Sequence, residues 1–168
     1  AYWDYADGES AIGLIARLPT IVVLRTLTKA HALPAARIGT VVADARMIAV
    51  LRRCQAPYPL PLSCVEQALA GLSPSARAQT LLRVASVKRE RDVITQRIAT
   101  ASGVRRAYSS EGNFILARFD DAQDAFERLL RAGVVVRDMR AARGLGDALR
   151  ITIGTPEQNR RVLQALGV

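Results

Sequence analysis

Along the chain, runs of continuous apolar residues give way to helical spacing and back again, and these changes divide the sequence into elements. Ala11 to Leu18 reads as a short helix stopped by Pro19. Thr20 to Thr26 is β-branched and apolar without alternation, the pattern of a strand covered on both faces. A small-residue loop or short helix is expected over Thr28 to Arg37, and a second strand over Ile38 to Ala43. Asp44 then caps a helix running to about Arg53. Pro57, Pro59 and Pro61 exclude regular structure and predict a rigid hinge over residues 57–62. Ser63 and Glu66 have the spacing of a capping box, which opens a helix to about Ala70.

Ser73-Pro74 starts a long helix with an apolar stripe of Leu81, Val84, Val87, Val93, Ile94 and Ile98, and Gly103 ends it. Arg83, Lys88, Arg89, Glu90, Arg91 and Asp92 occupy much of its remaining surface. The last third alternates strand and helix. Asn113 to Phe119 reads as a strand, Asp121 to Ala132 as a helix closed by Gly133, and Val134 to Arg137 as a strand. Ala148 to Ile153 is a further strand, and Thr155-Pro156-Glu157 begins a terminal helix. The pattern predicts an α/β or α+β lobe over residues 63–168, joined by the hinge to a lobe of residues 1–56.

Composition narrows the function classes. Of 168 residues, 50% are hydrophobic and 23% charged, as in globular chains. No apolar stretch approaches the roughly 20 residues of a membrane helix. The opening Ala-Tyr-Trp-Asp-Tyr-Ala-Asp has neither a basic n-region nor an apolar h-region, so no signal peptide is expected. It also lacks Met and reads as cut from a longer polypeptide. Cys54 and Cys64 form neither a disulfide framework nor a metal site, which fits free thiols in a reducing cytoplasm.

The formal charge of +9 suggests a nucleic-acid partner. However, Lys29 and Lys88 are the only lysines, so 22 of the 24 cations are arginine. The pairs Arg52-Arg53, Arg105-Arg106 and Arg160-Arg161 are scattered, aromatics make up 5%, and no nucleic-acid-binding motif accompanies them. Neither nucleic acid nor membrane is the expected partner.

The scarcity of lysine draws attention to Thr26-Leu27-Thr28-Lys29. Ligands of α/β sheets bind beyond the carboxyl ends of strands, where Lys29 falls. A desolvated lysine there is a nucleophile for a carbonyl. Two alternating hydroxyls and Arg37, followed by Ile38-Gly39, suit a phosphate. Together they describe a ligand bearing both a carbonyl and a phosphate, such as pyridoxal phosphate. A solvent-facing loop lysine is the other reading of the same spacing.

Leu24-Arg25-Thr26-Leu27-Thr28-Lys29-Ala30, with Leu33, Arg37 and Gly39, resembles the Schiff-base lysine motif of the aspartate-aminotransferase-like, fold type I pyridoxal phosphate enzymes. Within them the likeness is to the histidinol-phosphate aminotransferases. Ala1-Tyr2 resembles the end of their Asp-Glu-Ala-Tyr signature, and Gly112 to Phe119 a small-domain strand. Gly133 to Asp138 with Leu149 to Thr155 resembles the C-terminal signature. The likeness spans essentially the whole chain and is loose between about residues 65 and 105.

The resemblance implies an α/β fold: the last part of a large-domain sheet in residues 1–56, the hinge, and an α+β small domain in residues 63–168. It implies that Lys29 carries pyridoxal 5′-phosphate and moves the proton between the substrate α-carbon and the cofactor's C4′. Arg37, Thr28 and Thr26 would hold the phosphate, and Tyr2 the phenolic oxygen of the ring. Arg150 would clamp the carboxylate of glutamate or 2-oxoglutarate, and the phosphate in the histidinol phosphate half-reaction. A homodimer is implied as well.

The chain also departs from the pattern. Where the family often has Phe-Gly-Leu-Ala-Gly, this chain reads His31-Ala32-Leu33-Pro34-Ala35, a stiffer loop. The family's Asp that pairs with the ring nitrogen would precede Ala1, as would the Gly-rich phosphate turn and the stacking aromatic. His31 is a candidate base or a structural residue, and Tyr58 a candidate substrate contact. Asn113 has a structural reading, Arg137 either assists carboxylate binding or completes a salt bridge, the latter being favoured, and the two cysteines are expected to pack.

Two function classes follow. The first is a transaminase acting on histidinol phosphate, or a relative acting on aromatic amino acids or phosphothreonine, with the 168 residues inactive by themselves. The second is a basic, non-enzymatic binding module.

Overall fold

The computed structural model describes residues 1–168, which divide into two compact units, Ala1–Val84 and Ala85–Val168. The division falls inside a helix, beyond the proline-rich stretch at 57–62.

The first unit opens with a 3₁₀ turn at Trp3–Tyr5 and a second at Ala11–Leu14, where Ser10 accepts a hydrogen bond from the Ile12 N–H. The expected helix to Leu18 is therefore a single short turn. Strands β1 (Val22–Thr26) and β2 (Gly39–Ala43) form an antiparallel pair with Thr26 opposite Gly39. A Cβ at Gly39 would lie 3.0 Å from the Arg25 carbonyl, so this register requires glycine there. Helix α1 (Ala45–Cys54) follows, with Asp44 accepting from the Arg46 N–H as the sequence predicts. β1 is not covered on both faces: Val22 is exposed, and Leu24 is 67% exposed. A two-stranded ribbon with one helix beside β2 leaves the other side of the apolar run open.

Helix α2 (Leu62–Gly71) begins two residues earlier than expected, and its N-cap is Pro61, which has no side-chain cap bond. The Ser63–Glu66 capping box is thus a correction. Ser63 is already helical, so its hydroxyl is not at the cap position. Gly71 accommodates Leu33, whose Cδ1 would lie 2.5 Å from a Cβ there. This glycine brings α2 against the loop that follows β1.

Helix α3 (Pro74–Ala99) starts at Pro74 as predicted, but its buried seam is Thr80, Val84, Arg91, Ile94 and Ile98, with Val87 partly buried. Leu81 and Val93 of the expected stripe are 72% and 51% exposed, and Arg91 is 5% exposed. The 3–4 spacing selects the face, and Arg91 lies on it because its guanidinium donates to the Gly112 carbonyl at 3.1 Å. No helix is long and apolar enough to cross a membrane.

The second unit carries an antiparallel sheet of β3 (Val104–Ala107), β4 (Phe114–Phe119), β5 (Arg137–Asp138) and β6 (Ala148–Thr152), in the order β3-β4-β6-β5. β3 was not expected. Its Val-Arg-Arg-Ala sequence lacks apolar alternation, and it is held as an edge strand with an irregular register. β5 is confined to Arg137–Asp138, because the Val134 N–H is committed to the Leu129 carbonyl at the end of the preceding helix. Helices α4 (Ala122–Arg131) and α5 (Pro156–Leu166) begin where expected, capped by Asp121 and Thr155, and Gln158 completes a capping box with Thr155 that was not foreseen.

One sheet face is buried and the other open. Ile115, Ala117 and Phe119 of β4 join Leu149 and Ile151 of β6, packed with Ala125, Leu129, Val162, Leu163, Ile94 and Ile98. The alternate residues Phe114, Leu116 and Arg118, with Arg150, stand on the other face and are partly buried.

Candidate functional site

In the first unit the site residues lie on the loop from β1 to β2 and on the N-terminal turn. Lys29 stands three residues past Thr26, the carboxyl end of β1. The loop is closed by three backbone bonds: Leu27 N–H to the Ile38 carbonyl, Ala32 N–H to that of Lys29, and Leu33 N–H to that of Leu27. These bonds fix the backbone around Lys29, while Ala30 and Ala36 are buried beneath it.

Lys29 Nζ lies 5.4 Å from the centre of the Tyr2 ring, over its face. Asp4 secures that segment to β1 through a 2.7 Å ion pair with Arg25. The Thr26 hydroxyl accepts from the Thr28 N–H at 3.1 Å and donates to the Thr28 hydroxyl at 2.8 Å. The Thr28 hydroxyl proton is therefore free for an acceptor outside this pair.

Arg37 is reached along the same ladder. Arg25 pairs with Thr40, Thr26 with Gly39, and the Leu27 N–H donates to the Ile38 carbonyl, so Arg37 lies one residue beyond the last of these contacts. Arg37 has φ 51° and Ala32 φ 55°, both left-handed. Two such non-glycine residues in one loop store backbone strain of about 1–3 kcal/mol each. Arg37 Nη1 also donates to the Pro34 carbonyl at 3.2 Å. His31 has Nδ1 buried without a hydrogen-bond partner. The structure thus links Thr26 to Thr28 and sets Lys29 over Tyr2, and it places Arg37 at the far end of the same loop. An amine, a free hydroxyl, a guanidinium and a phenol fit a ligand that carries an aldehyde, a phosphate and a phenolic oxygen.

Arg150 belongs to the second unit. On β6 it stands opposite Leu116 of β4 and opposite Arg137 of β5. Its guanidinium carbon lies 4.8 Å from the Phe114 ring centre, and its Nε is buried with no hydrogen-bond acceptor. Two arginines directly opposite each other repel, a cost that an anion between them would remove.

Tyr58 is 98% exposed with φ 51°. Cys54 is exposed and Cys64 partly so, in place of the packing expected of both. Sequence reasoning assigned no role to Arg91 or Phe114. The 3–4 spacing of Val84, Val87, Arg91, Ile94 and Ile98 was the available signal for the first.

The geometry corresponds to a known class. Residues 1–166 match the model of the aminotransferase class I and II family, and the chain belongs to that family. Its fold is that of the fold type I pyridoxal-phosphate-dependent aminotransferases. The chain is 59% identical over 166 residues to the histidinol-phosphate aminotransferase of Xylella fastidiosa strain Temecula1, covering 99% of this chain and 46% of that protein. It therefore spans about half the length of the curated relatives it matches.

Among solved structures, an aminotransferase of Burkholderia pseudomallei superposes with a TM-score of 0.80 at 26% identity, over 99% of this chain and 49% of the other. The histidinol-phosphate aminotransferase of Sinorhizobium meliloti, solved with pyridoxal-5′-phosphate, gives 0.79 at 24% identity, over 99% and 46%.

Proposed function

We propose that this chain is the C-terminal portion of a pyridoxal-phosphate-dependent histidinol-phosphate aminotransferase. Such an enzyme passes an amino group between histidinol phosphate and 2-oxoglutarate. The observation that carries this reading is the loop placing Lys29 against Tyr2, beside a Thr28 hydroxyl free to donate. The 59% identity to a protein of that name supports the substrate assignment. Residues 1–56 would complete the large domain, 57–62 form the hinge, and 63–168 the small domain. The exposed Val22 and Leu24 of β1 are consistent with further sheet belonging over that face.

Pyridoxal phosphate, when bound, supplies the electron sink that makes the substrate α-proton acidic. The chain's own residues bind and move protons. Thr28 donates its hydroxyl to the phosphate, oriented by Thr26, and Arg37 adds charge-assisted donors. Tyr2 holds the phenolic oxygen through its hydroxyl. With the cofactor bound, the Lys29 amine would take the proton from the substrate α-carbon and deliver it back, being the mobile base on a fixed backbone. Arg150 grips the carboxylate of glutamate or 2-oxoglutarate and, with Arg137 opposite, the phosphate of histidinol phosphate.

The enzyme is cytoplasmic and homodimeric in this reading, with small-molecule substrates and neither nucleic acid nor membrane as partner. The 168 residues alone lack the partner of the ring nitrogen and are expected to be inactive.

Steady-state kinetics of the full-length protein test the reading. Arg150→Lys should raise the KM for 2-oxoglutarate about 10- to 100-fold, as expected for loss of charged hydrogen bonds. An unchanged KM would refute the carboxylate role.

A further inference from the structure

Phe114 begins β4 on the open face of the four-stranded sheet. It stands opposite Thr152, while Arg150 stands opposite Leu116, so Phe114 and Arg150 are diagonal neighbours on that face. The guanidinium carbon is 4.8 Å from the ring centre. The ring is itself confined from behind. A Cβ at Gly112 would lie 3.0 Å from Phe114 Cε1 and 3.2 Å from Cδ1, so the turn before the strand leaves room for the ring only because residue 112 is glycine.

That turn is held in place from two sides. The Gly112 carbonyl accepts from Arg91 Nη1 at 3.1 Å, and the Gly112 N–H donates to Ser110 Oγ at 3.0 Å. Arg91 is 5% exposed, a buried cation anchoring a backbone turn.

The kind of contact matters for what Arg150 can do. A carboxylate partner would bind the guanidinium through its N–H donors, which lie in the plane of the group. An aromatic ring holds the same cation through its flat face and leaves the in-plane donors on the outer edge uncommitted. From this we infer that Phe114 is a positioning residue for Arg150. It holds the fork flat and oriented without occupying the donors that a substrate carboxylate needs, and Gly112, anchored by Arg91, fixes the ring. This rests on Arg150 being the carboxylate clamp, and the test below separates the two claims.

The experiment uses the full-length, cofactor-loaded enzyme and succinate, a dicarboxylate that cannot react. Calorimetry gives its Kd for the wild type and for Phe114→Leu, Phe114→Tyr, Gly112→Ala and Arg150→Lys, and 2-oxoglutarate kinetics follow in parallel. Phe114→Leu should weaken succinate about tenfold, the scale of a partly desolvated cation–π contact. Phe114→Tyr should return the Kd to within about twofold, since the ring face is retained. The kinetic loss should appear in KM for the oxo acid more than in kcat.

Gly112→Ala, which crowds the ring without removing it, should also weaken succinate, and it serves if Phe114→Leu does not fold. Wild-type Kd values for both Phe114→Leu and Gly112→Ala, with Arg150→Lys impaired, would overturn the positioning role and leave the clamp standing. A wild-type Kd for Arg150→Lys would overturn both.

Discussion

Ala32 has a φ of 55°, in the left-handed region that favours glycine. The β-carbon in that region costs about 1–2 kcal/mol, against the greater flexibility glycine gives the unfolded chain. Ala32→Gly should therefore stabilise the protein by about 0.5–1 kcal/mol, read as a higher denaturation midpoint. Ala32→Val should lower it. The candidate site residues Thr26, Thr28, Lys29 and Arg37 could be picked out from the sequence because they lie close together along the chain and in a recognisable order. Their coupling could not: that the Thr26 hydroxyl points at Thr28 depends on where the turn bends. Charge suggests exposure for Arg91, and its burial goes with a carbonyl partner 21 residues away and with the neighbouring Asp92 carboxylate.

Among the elements, β4, α4, β6 and α5 were foreseeable because capping residues, turn glycines and one buried face all agree there. β3 was not, since an edge strand held largely by a neighbour's backbone needs no apolar pattern of its own. The strands of this sheet are joined by charge as well. Asp147, just before β6, accepts from Arg118 of β4 at 2.8 Å, and Arg105 of β3 reaches it at 3.1 Å. The hydrogen bonds from Arg118, first, hold its carboxyl below the usual carboxylate range.

A carboxyl depressed in the folded state contributes stability above its unfolded pKa, about 3.9, and loses it as pH falls through the folded value. Asp147→Asn should thus lower Tm at pH 6. The gap to wild type should narrow as the pH drops below about 4, measured by thermal melts across that range. A gap independent of pH would place the effect in packing instead.

At the scale of the molecule, the first compact unit holds the Lys29 amine over the Tyr2 ring, and the second holds Arg150 over the Phe114 ring. The chain spans 46% of its Xylella relative, and Val22 and Leu24 of β1 are exposed. The charge of +9 belongs to this half alone, and several arginines are already committed within it, to Asp4, Gly112, Asp147 and the Phe114 ring.

The central claim is that Lys29 is the amine that carries the cofactor. Borohydride reduction of the full-length, pyridoxal-phosphate-loaded protein, followed by peptide mass mapping, tests it directly. The account predicts a single pyridoxyl label on the peptide containing Lys29. A label on Lys88, or none on either lysine of this chain, would contradict it.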